Sequence, residues 1–346
     1  MTATNPRILM EGIGAIGGVL AAHMVQAGLS PLLVTGNPEV TDAINEDGLR
    51  VTTRKKTMTI PARAFTSLTD VGAEGGFDAA YLLMKANRVV EAARQSLPLL
   101  KPEGCMVTFQ NGIVEDTVAD AVGGDRVLGA VVGWGAEMRA PGVYEKTSRG
   151  RTIVGELEGQ LTNRVMDVSL SLKDAAPVFI SPNIRGVLWS KLAINSMITC
   201  PGALTGQRVG EMLRDGRARS LCLSIYQEVI DTALALGIRL EPAATGPRLL
   251  YLARRAGPLT RSAKHIVARL MGLKYGKLKS SSLQSLERGR QTEIDYLNGY
   301  VVQKAREAGV DVPANEAVVR MVKQIEGGHR PIGPENLKEL ASWLKR

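Results

Sequence analysis

Three polar residues, Lys191, Asn195 and Thr199, punctuate an otherwise apolar segment and are the first candidates for chemistry. Their spacing of four residues puts all three on one face of a helix. An ammonium group is costly to bury among apolar side chains without a purpose. Two interpretations stay open: Lys191 donates a proton or anchors an anion, or it lies at the edge of the core with its charged end in solvent.

Two further polar residues, Ser281 and Glu293, precede apolar helical segments. A carboxylate near the start of a helix suits the helix macrodipole, and a serine in the same place suits a turn or a cap. The residue types alone therefore leave a purely structural role open for both.

A glycine-rich loop near the N-terminus follows an apolar strand and opens an amphipathic helix, the arrangement that binds dinucleotides. Gly12 permits the tight turn, Gly14 lets the backbone approach a pyrophosphate, and Gly17 lets the helix pack close to the sheet. The alternative is a structural glycine turn in another kind of α/β domain. The predicted cofactor-binding residues of the loop are Gly12, Ile13, Gly14, Ala15, Ile16 and Gly17.

The end of the second predicted strand distinguishes NAD from NADP, because an acid there binds the ribose 2′-hydroxyl and repels a 2′-phosphate. Val34 is followed by Thr35, Gly36 and Asn37, with no acid before Glu39 and no arginine in the loop. Hydrogen bonds from Thr35 and Asn37 can hold a phosphate. We therefore predict NADP(H) as the cofactor, with Thr35 and Asn37 among its binding residues.

The elements that carry these residues follow from hydrophobic periodicity. Short apolar runs alternate with helical patterns through the first 180 residues, which predicts a parallel sheet covered on both faces. Val143–Lys146 and Thr152–Gly155 are expected to form an antiparallel pair that closes this domain. From Ile184 onward the patterns are long and helical. We predict an α/β, Rossmann-like, doubly wound parallel sheet over residues 1–181 and an all-α domain over residues 182–346.

Composition and charge narrow the class of protein. The chain has 346 residues, 45% hydrophobic and 22% charged, as in soluble globular proteins. The net charge is +9, and part of it comes from the segment Arg254 to Lys279, which contains Lys and Arg but no Asp or Glu. This basic segment is either a solvated surface or the source of a field that attracts an anionic substrate and cofactor phosphates. With 4% aromatic residues and no recognised module, nucleic acid is not an expected partner.

Further patterns concern location and assembly. No apolar run is long enough to span a membrane, so no membrane partner is expected. Three widely separated cysteines fit no metal spacing, which predicts a cytoplasmic protein without a metal site. The apolar, basic stretch Ile266–Leu273 could form a homodimer contact or part of the protein's own core.

In combination, the motifs resemble the ketopantoate reductase (2-dehydropantoate 2-reductase) family. The resemblance extends over nearly the whole chain, through the early Gly-x-Gly-x-x-Gly-Gly, Met84-Lys85-Ala86, Gln110-Asn111-Gly112, Trp189-x-Lys191-Leu-x-x-Asn195, and the block from Ser-Leu-Gln to Thr-Glu293-Ile-Asp.

The resemblance implies a role for each matching residue. Lys191 corresponds to the catalytic lysine that protonates the carbonyl oxygen as hydride arrives, and Glu293 to an acid near the nicotinamide ribose and the substrate. Lys85 and Asn111 correspond to residues that line the cofactor and substrate cleft. The residues implied to bind substrate are Lys191, Asn195, Ser281 and, at a position where the family carries asparagine, Thr199.

Two other positions depart from the family pattern: Val209 stands where another asparagine is usual, and Ser285 where an aspartate often follows Ser-x-Leu-Gln. The implied activity is NADPH-dependent reduction of a small, anionic 2-oxo acid to the 2-hydroxy acid. Ketopantoate, reduced to pantoate in pantothenate biosynthesis, is the best single candidate. Reduction of a different ketone or an imine, and a non-catalytic NADP-binding protein, are the alternatives.

Overall fold

The computed structural model describes residues 5–54, 56–71, 75–243 and 258–343. The chain divides into two compact units. Unit 1 comprises Met1–Gln110 and Val114–Arg185, and unit 2 comprises Asn111–Ile113 and Gly186–Arg346. The boundary predicted from the sequence is residue 181, whereas unit 1 ends at Arg185.

Unit 1 is an α/β unit whose strands form two sheets. Its strands are β1 (Ile8–Glu11), β2 (Leu32–Val34), β3 (Leu49–Thr52), β4 (Thr57–Ile60), β5 (Ala64–Phe65), β6 (Phe77–Leu82), β7 (Leu100–Thr108), β8 (Val127–Val132), β9 (Ala136–Ala140), β10 (Val143–Lys146), β11 (Thr152–Glu156) and β12 (Val178–Ile180). Its helices are α1 (Ala15–Gln26), α2 (Pro38–Asp47), α3 (Leu68–Val71), α4 (Val89–Ser96), α5 (Glu115–Val122) and α6 (Asn163–Leu172).

The larger sheet has the strand order β12-β11-β8-β7-β6-β1-β2-β5. All pairs from β5 across to β8 are parallel, which confirms the predicted Rossmann-like sheet. From β1 the chain proceeds to β2 and β5 on one side and then returns to β6, β7 and β8 on the other. The carboxyl end of β1 is therefore the point where strand order reverses, the place where such sheets bind their ligands.

The predicted antiparallel pair is wrong. β10 pairs with β9 and β3 in a smaller sheet of order β4-β3-β10-β9. β11 instead joins the larger sheet, antiparallel to β8 and parallel to β12. The two strands differ in burial: every residue of β11 is buried, whereas Tyr144 is the buried residue of β10. A strand covered on both faces belongs in the central sheet, and one covered on a single face belongs in a two-layer packing.

Helix α1 packs against the smaller sheet as well as the larger one. Its residues from Gly17 to Ala22 are buried, which is more than the single apolar face that its sequence pattern predicts. The ring of the fully buried Tyr144 lies directly on Gly18, and the Tyr144 hydroxyl donates to the Ile13 carbonyl oxygen at 3.0 Å. The smaller sheet thus fixes the start of α1.

Every regular element among the described residues of unit 2 is a helix, which confirms the predicted all-α domain. Helix α9 packs against the helices on both sides of it in sequence and against the last three helices. The helices are α7 (Ile184–Thr205), α8 (Val209–Arg214), α9 (Gly216–Ala235), α10 (Pro258–Lys274), α11 (Ser281–Glu287), α12 (Asn298–Ala308), α13 (Pro313–Glu326) and α14 (Glu335–Trp343).

A buried polar network joins three of these helices. The carboxylate of Glu228 on α9 accepts hydrogen bonds from the backbone amides of Ala314 and Asn315, both at 2.9 Å, and so caps the start of α13. The Asn315 side chain also donates to Glu228 at 2.7 Å and accepts from Asn298 on α12 at 2.8 Å. Burial raises the pKa of the Glu228 carboxyl, and these hydrogen bonds oppose the rise.

Of the basic segment, residues 254–257 lie outside the described part of the chain. Helix α10 contains the apolar stretch of this segment, and its side chains Ile266, Leu270 and Leu273 are each more than half exposed. The homodimer contact at this stretch stays a prediction. Among the helices described here, none combines the length and apolarity needed to cross a bilayer.

Replacement of Glu11 by Gln is expected to alter how stability depends on pH. Glu11 ends β1 with 5% exposure, and burial raises its carboxyl pKa from 4.5 to about 7 against the opposing hydrogen bond from Ser96. A raised carboxyl pKa stabilises the fold below pH 4.5, and this contribution is lost as pH rises through about 7. The free energy of unfolding of the parent should therefore fall by about 3 kcal/mol relative to Glu11→Gln as pH rises from about 4 to 8.

Urea denaturation of both proteins across that pH range measures the difference, and Glu103→Gln, which removes an exposed carboxylate from β7, is the control. A difference between parent and Glu11→Gln that does not vary with pH would contradict the assignment.

Gly18→Ala should destabilise the protein, because the added methyl group overlaps the Tyr144 ring. The expected loss is about 1–3 kcal/mol in the free energy of unfolding. A double-mutant cycle with Tyr144→Ala tests the cause, since removing the ring should abolish most of that loss. The control is Gly14→Ala in the loop just before α1, where the methyl group meets nothing within 4 Å. Equal losses with and without the ring would show that the overlap is not the cause.

Candidate functional site

The glycine loop lies at the carboxyl end of β1. Gly12 has φ of +92°, and a Cβ there would stand 2.5 Å from the Met84 backbone nitrogen, so both turn and packing demand glycine. A methyl group on Gly17 would overlap the Gly12 carbonyl oxygen. At Gly14 a Cβ would meet nothing within 4 Å. The backbone at Gly14 is therefore open to a ligand, whereas Gly12 and Gly17 are closed in by protein.

The start of α1 offers amide groups to an anion. The helix has no side-chain cap and no acid in its first turn. Amides of a first turn have no partner within the helix, and the macrodipole favours negative charge there. Ala15 and Ile16 are half-buried, whereas the Ile13 side chain is in the core and its carbonyl is bonded to Tyr144. Ile13 can therefore contribute to binding through its backbone amide.

The loop after β2 is tightly bonded to the protein itself. The Thr35 hydroxyl lies 2.6 Å from that of Thr41 and 2.8 Å from the Asn37 carbonyl oxygen. The Asn37 side-chain oxygen accepts from the Glu39 amide at 3.0 Å and so caps α2. Both predicted phosphate-binding groups thus already serve the loop, although the Asn37 side-chain NH₂ donates to none of the described residues. Lys85 is exposed at the start of a 3₁₀ turn that follows β6.

The polar stripe of unit 2 lies on one helix, α7. Lys191 and Asn195 are half-buried and Thr199 is buried, 9% exposed. Trp189, next to this stripe in sequence, packs its ring 5.8 Å from that of Tyr300 on α12. The stripe is therefore graded from a partly accessible ammonium group to an enclosed hydroxyl.

The segment around Glu293 is held in place by its neighbours in unit 2. The Glu326 carboxylate accepts from both the amide and the hydroxyl of Thr292 at 2.7 Å. Gly112 packs so closely on the Tyr296 carbonyl that a methyl group would overlap it, and φ of +92° there also demands glycine. Two predicted site residues, Asn111 and Glu293, both half-buried, are thereby brought onto adjoining backbone segments.

Glu293 also lies within electrostatic range of α7. Burial raises the pKa of the Cys200 thiol, and the carboxylates of Glu326 and Glu293 add to the rise while a hydrogen bond with Ser282 opposes it. Cys200 follows Thr199 directly, so the Glu293 carboxylate lies within electrostatic range of the part of α7 that carries both residues.

The serine cluster is divided between core and surface. Ser281 is exposed, whereas its two neighbours are buried. Ser280 caps α11 by accepting from the Leu283 amide at 3.2 Å, and Ser282 bonds to Cys200. Ser281 is therefore the serine of the three with access to a ligand. Val209, at the start of α8, is 2% exposed.

Other kinds of site find no support within the described residues: no group of His, Cys, Asp and Glu is placed to hold a metal ion, and Cys105, Cys200 and Cys222 are free and buried. Two residues near the glycine loop were missed by sequence reasoning, Tyr144 and Glu11. Neither carries a local signal, because each acts through a partner far along the chain.

Two family models match this chain, one over most of unit 1 and one over most of unit 2. Residues 8–159 match the family model "Ketopantoate reductase PanE/ApbA", and residues 183–326 match "Ketopantoate reductase PanE/ApbA C terminal". The 2-dehydropantoate 2-reductase of Mesorhizobium japonicum is 30% identical over 92% of this chain and 97% of its own length. The 2-dehydropantoate 2-reductase of Pyrococcus abyssi is 26% identical over 92% of this chain and 97% of its own.

Solved structures agree in fold. A PanE/ApbA family ketopantoate reductase from Ralstonia eutropha is 26% identical, with a TM-score of 0.78 over 93% of this chain and 99% of that one. D-mandelate dehydrogenase in a ternary structure with NADH and anilino(oxo)acetate is 20% identical, with a TM-score of 0.80 over the same shares of the two chains. The chain belongs to the ketopantoate reductase family.

Proposed function

We propose that this protein is an oxidoreductase that reduces a small 2-oxo acid to the 2-hydroxy acid with NADPH, and that ketopantoate is its best single candidate substrate. The observation that carries the proposal is the stripe of Lys191, Asn195 and Thr199 on α7, in a chain of the ketopantoate reductase family. The relatives named 2-dehydropantoate 2-reductase support the same reaction, and with it a place in pantothenate biosynthesis.

Unit 1 has the task of holding the cofactor. The open backbone at Gly14 and the uncapped amides at the start of α1 fit a pyrophosphate. A nicotinamide dinucleotide, when bound, supplies the hydride. NADPH is favoured over NADH because no acid follows β2 before Glu39. D-mandelate dehydrogenase, which shares the fold, has been solved with NADH, so the family fold by itself does not dictate the choice.

Unit 2 has the task of handling the substrate. As a carbonyl is reduced, negative charge develops on its oxygen, and the Lys191 ammonium group stabilises that charge and donates the proton. Asn195, Thr199 and Ser281 donate hydrogen bonds that orient the substrate. The carboxylate of Glu293, held by its anchored segment, accepts from a substrate or ribose hydroxyl.

A second candidate, reduction of a different ketone or an imine, is favoured by Thr199. A single hydroxyl stands there where the family resemblance implies an asparagine amide, and Val209 replaces another polar group. A substrate that needs those amides would leave polar groups unpaired in a buried site.

The third alternative, a non-catalytic NADP-binding protein, has no need of both Lys191 and Glu293. We further propose a cytoplasmic location, in which the buried thiols stay reduced.

Initial rates with NADPH and a panel of 2-oxo acids identify the substrate. We expect the highest kcat/KM for ketopantoate, with the loss of nicotinamide absorbance as the readout. A panel of unbranched 2-oxo acids, aromatic 2-oxo acids and cyclic imines is the comparison. If ketopantoate is reduced no faster than these, the specific assignment is wrong, and binding of NADPH without turnover of any member would favour the non-catalytic protein.

Lys191→Ala should lower kcat by about 10²–10⁴-fold if Lys191 is the proton donor. Lys191→Arg separates charge from proton transfer, because a guanidinium keeps the positive charge but holds its proton too tightly to donate it. Single-turnover measurements of hydride transfer provide the readout, and Lys338→Ala on the surface of α14 is the matched control. Turnover that survives Lys191→Ala intact would remove the residue from the mechanism.

A further inference from the structure

The loop after β2 lacks the groups that usually hold an adenosine phosphate. The amides of Thr35 and Gly36 donate to the carbonyl oxygens of Phe65 and Thr66, at 2.9 and 3.0 Å. The amide of Asn37 donates to the Thr35 hydroxyl at 3.0 Å, and that of Glu39 is capped by Asn37. A phosphate at this loop would therefore find no backbone donor in residues 35–37, and its charge must be met by a side chain.

A cation from another part of the chain stands at this loop. The Nη1 atom of Arg88 lies 3.9 Å from the point that a Cβ on Gly36 would occupy. Arg88 ends the 3₁₀ turn Ala86–Arg88 that follows β6. Because β6 and β2 flank β1 on opposite sides, their ends are roughly 10 Å apart, and the long arginine side chain spans that distance.

The guanidinium of Arg88 is exposed, and no carboxylate among the described residues pairs with it. Its backbone is fixed, since its amide donates to the Lys85 carbonyl oxygen at 3.0 Å and the residue precedes α4 directly. Recognition of a phosphate requires a side chain with a fixed backbone, a planar group with several hydrogen-bond donors, and no competing anion.

We infer that Arg88 determines the choice of cofactor by pairing with the 2′-phosphate of NADPH at the loop Thr35–Asn37, assisted by the Asn37 side-chain NH₂. The inference rests on the proposed function for the presence of a dinucleotide on α1. Arg88, from the 3₁₀ turn after β6, takes the place of the arginine that the loop after β2 lacks. NADH has no 2′-phosphate, so Arg88 discriminates between the two cofactors without touching the nicotinamide.

Equilibrium binding of NADPH and NADH, by titration calorimetry in the absence of any oxo acid, tests the inference. In Arg88→Gln the ratio of Kd for NADPH to Kd for NADH should rise about 10–100-fold over that of the parent, the size expected for one lost charge-assisted hydrogen bond. Arg88→Lys should give a smaller rise, because the charge stays and the bidentate geometry is lost. The matched control is Arg94→Gln, which removes an exposed arginine from α4 and should leave the ratio within twofold.

Each outcome separates the inference from the proposed function. An unchanged ratio in Arg88→Gln, or equal weakening of both cofactors, overturns the role of Arg88 while the reductase stands. A parent that binds NADPH with the expected dependence on Arg88 but reduces no panel member supports the inference and contradicts the reductase. A parent that binds neither dinucleotide overturns both. The mononucleotides 2′,5′-ADP and 5′-AMP, titrated in the same way, should show the same dependence on Arg88 for the former alone.

Discussion

The packing of the Tyr144 ring on Gly18 is the contact on which the candidate cofactor site depends. It holds α1 between two sheets, with the larger sheet supplying β1 and the smaller one supplying Tyr144. The bond from its hydroxyl to the Ile13 carbonyl fixes the loop at the point where the helix begins. Amides ordered in advance by the fold lose little entropy when an anion binds to them, so the loop is preorganised.

Structural features that depend only on residues close together in the chain could be predicted from the sequence. The strand, glycine loop and helix around Gly12 form one local pattern, and the stripe on α7 follows from helical spacing alone. The pairing of β10 could not be predicted, because the alternation around Tyr144 shows that one face is buried but not what covers it. Arg88 was missed for a related reason: its position at the loop after β2 follows from the order of strands in the sheet, which brings segments far apart in sequence together.

In unit 2 the family resemblance identified candidate site residues such as Glu293, which the composition of the chain could not. The structure shows which contacts hold the segment of Glu293 in place. Glu293 lies on a segment fixed by Glu326, and the helix that carries Glu326 is in turn capped by Glu228. A carboxylate on a segment held at both ends keeps its position when a charged ligand arrives. Ser280, Ser281 and Ser282 are identical in type and adjacent in sequence, yet one caps α11, one is exposed and one is buried, because the packing around α11 decides their roles.

The close packing of Gly112 on the Tyr296 carbonyl makes unit 2 discontinuous along the chain. Residues 111–113 come from the middle of the N-terminal half, yet they belong with the helices that follow Arg185. A fragment that began after Arg185 would therefore lack part of its own unit. Recombination between homologous genes at that boundary would also inherit position 112 from one parent and the segment around Tyr296 from the other. Such chimaeras keep the packing only when the first parent contributes a glycine.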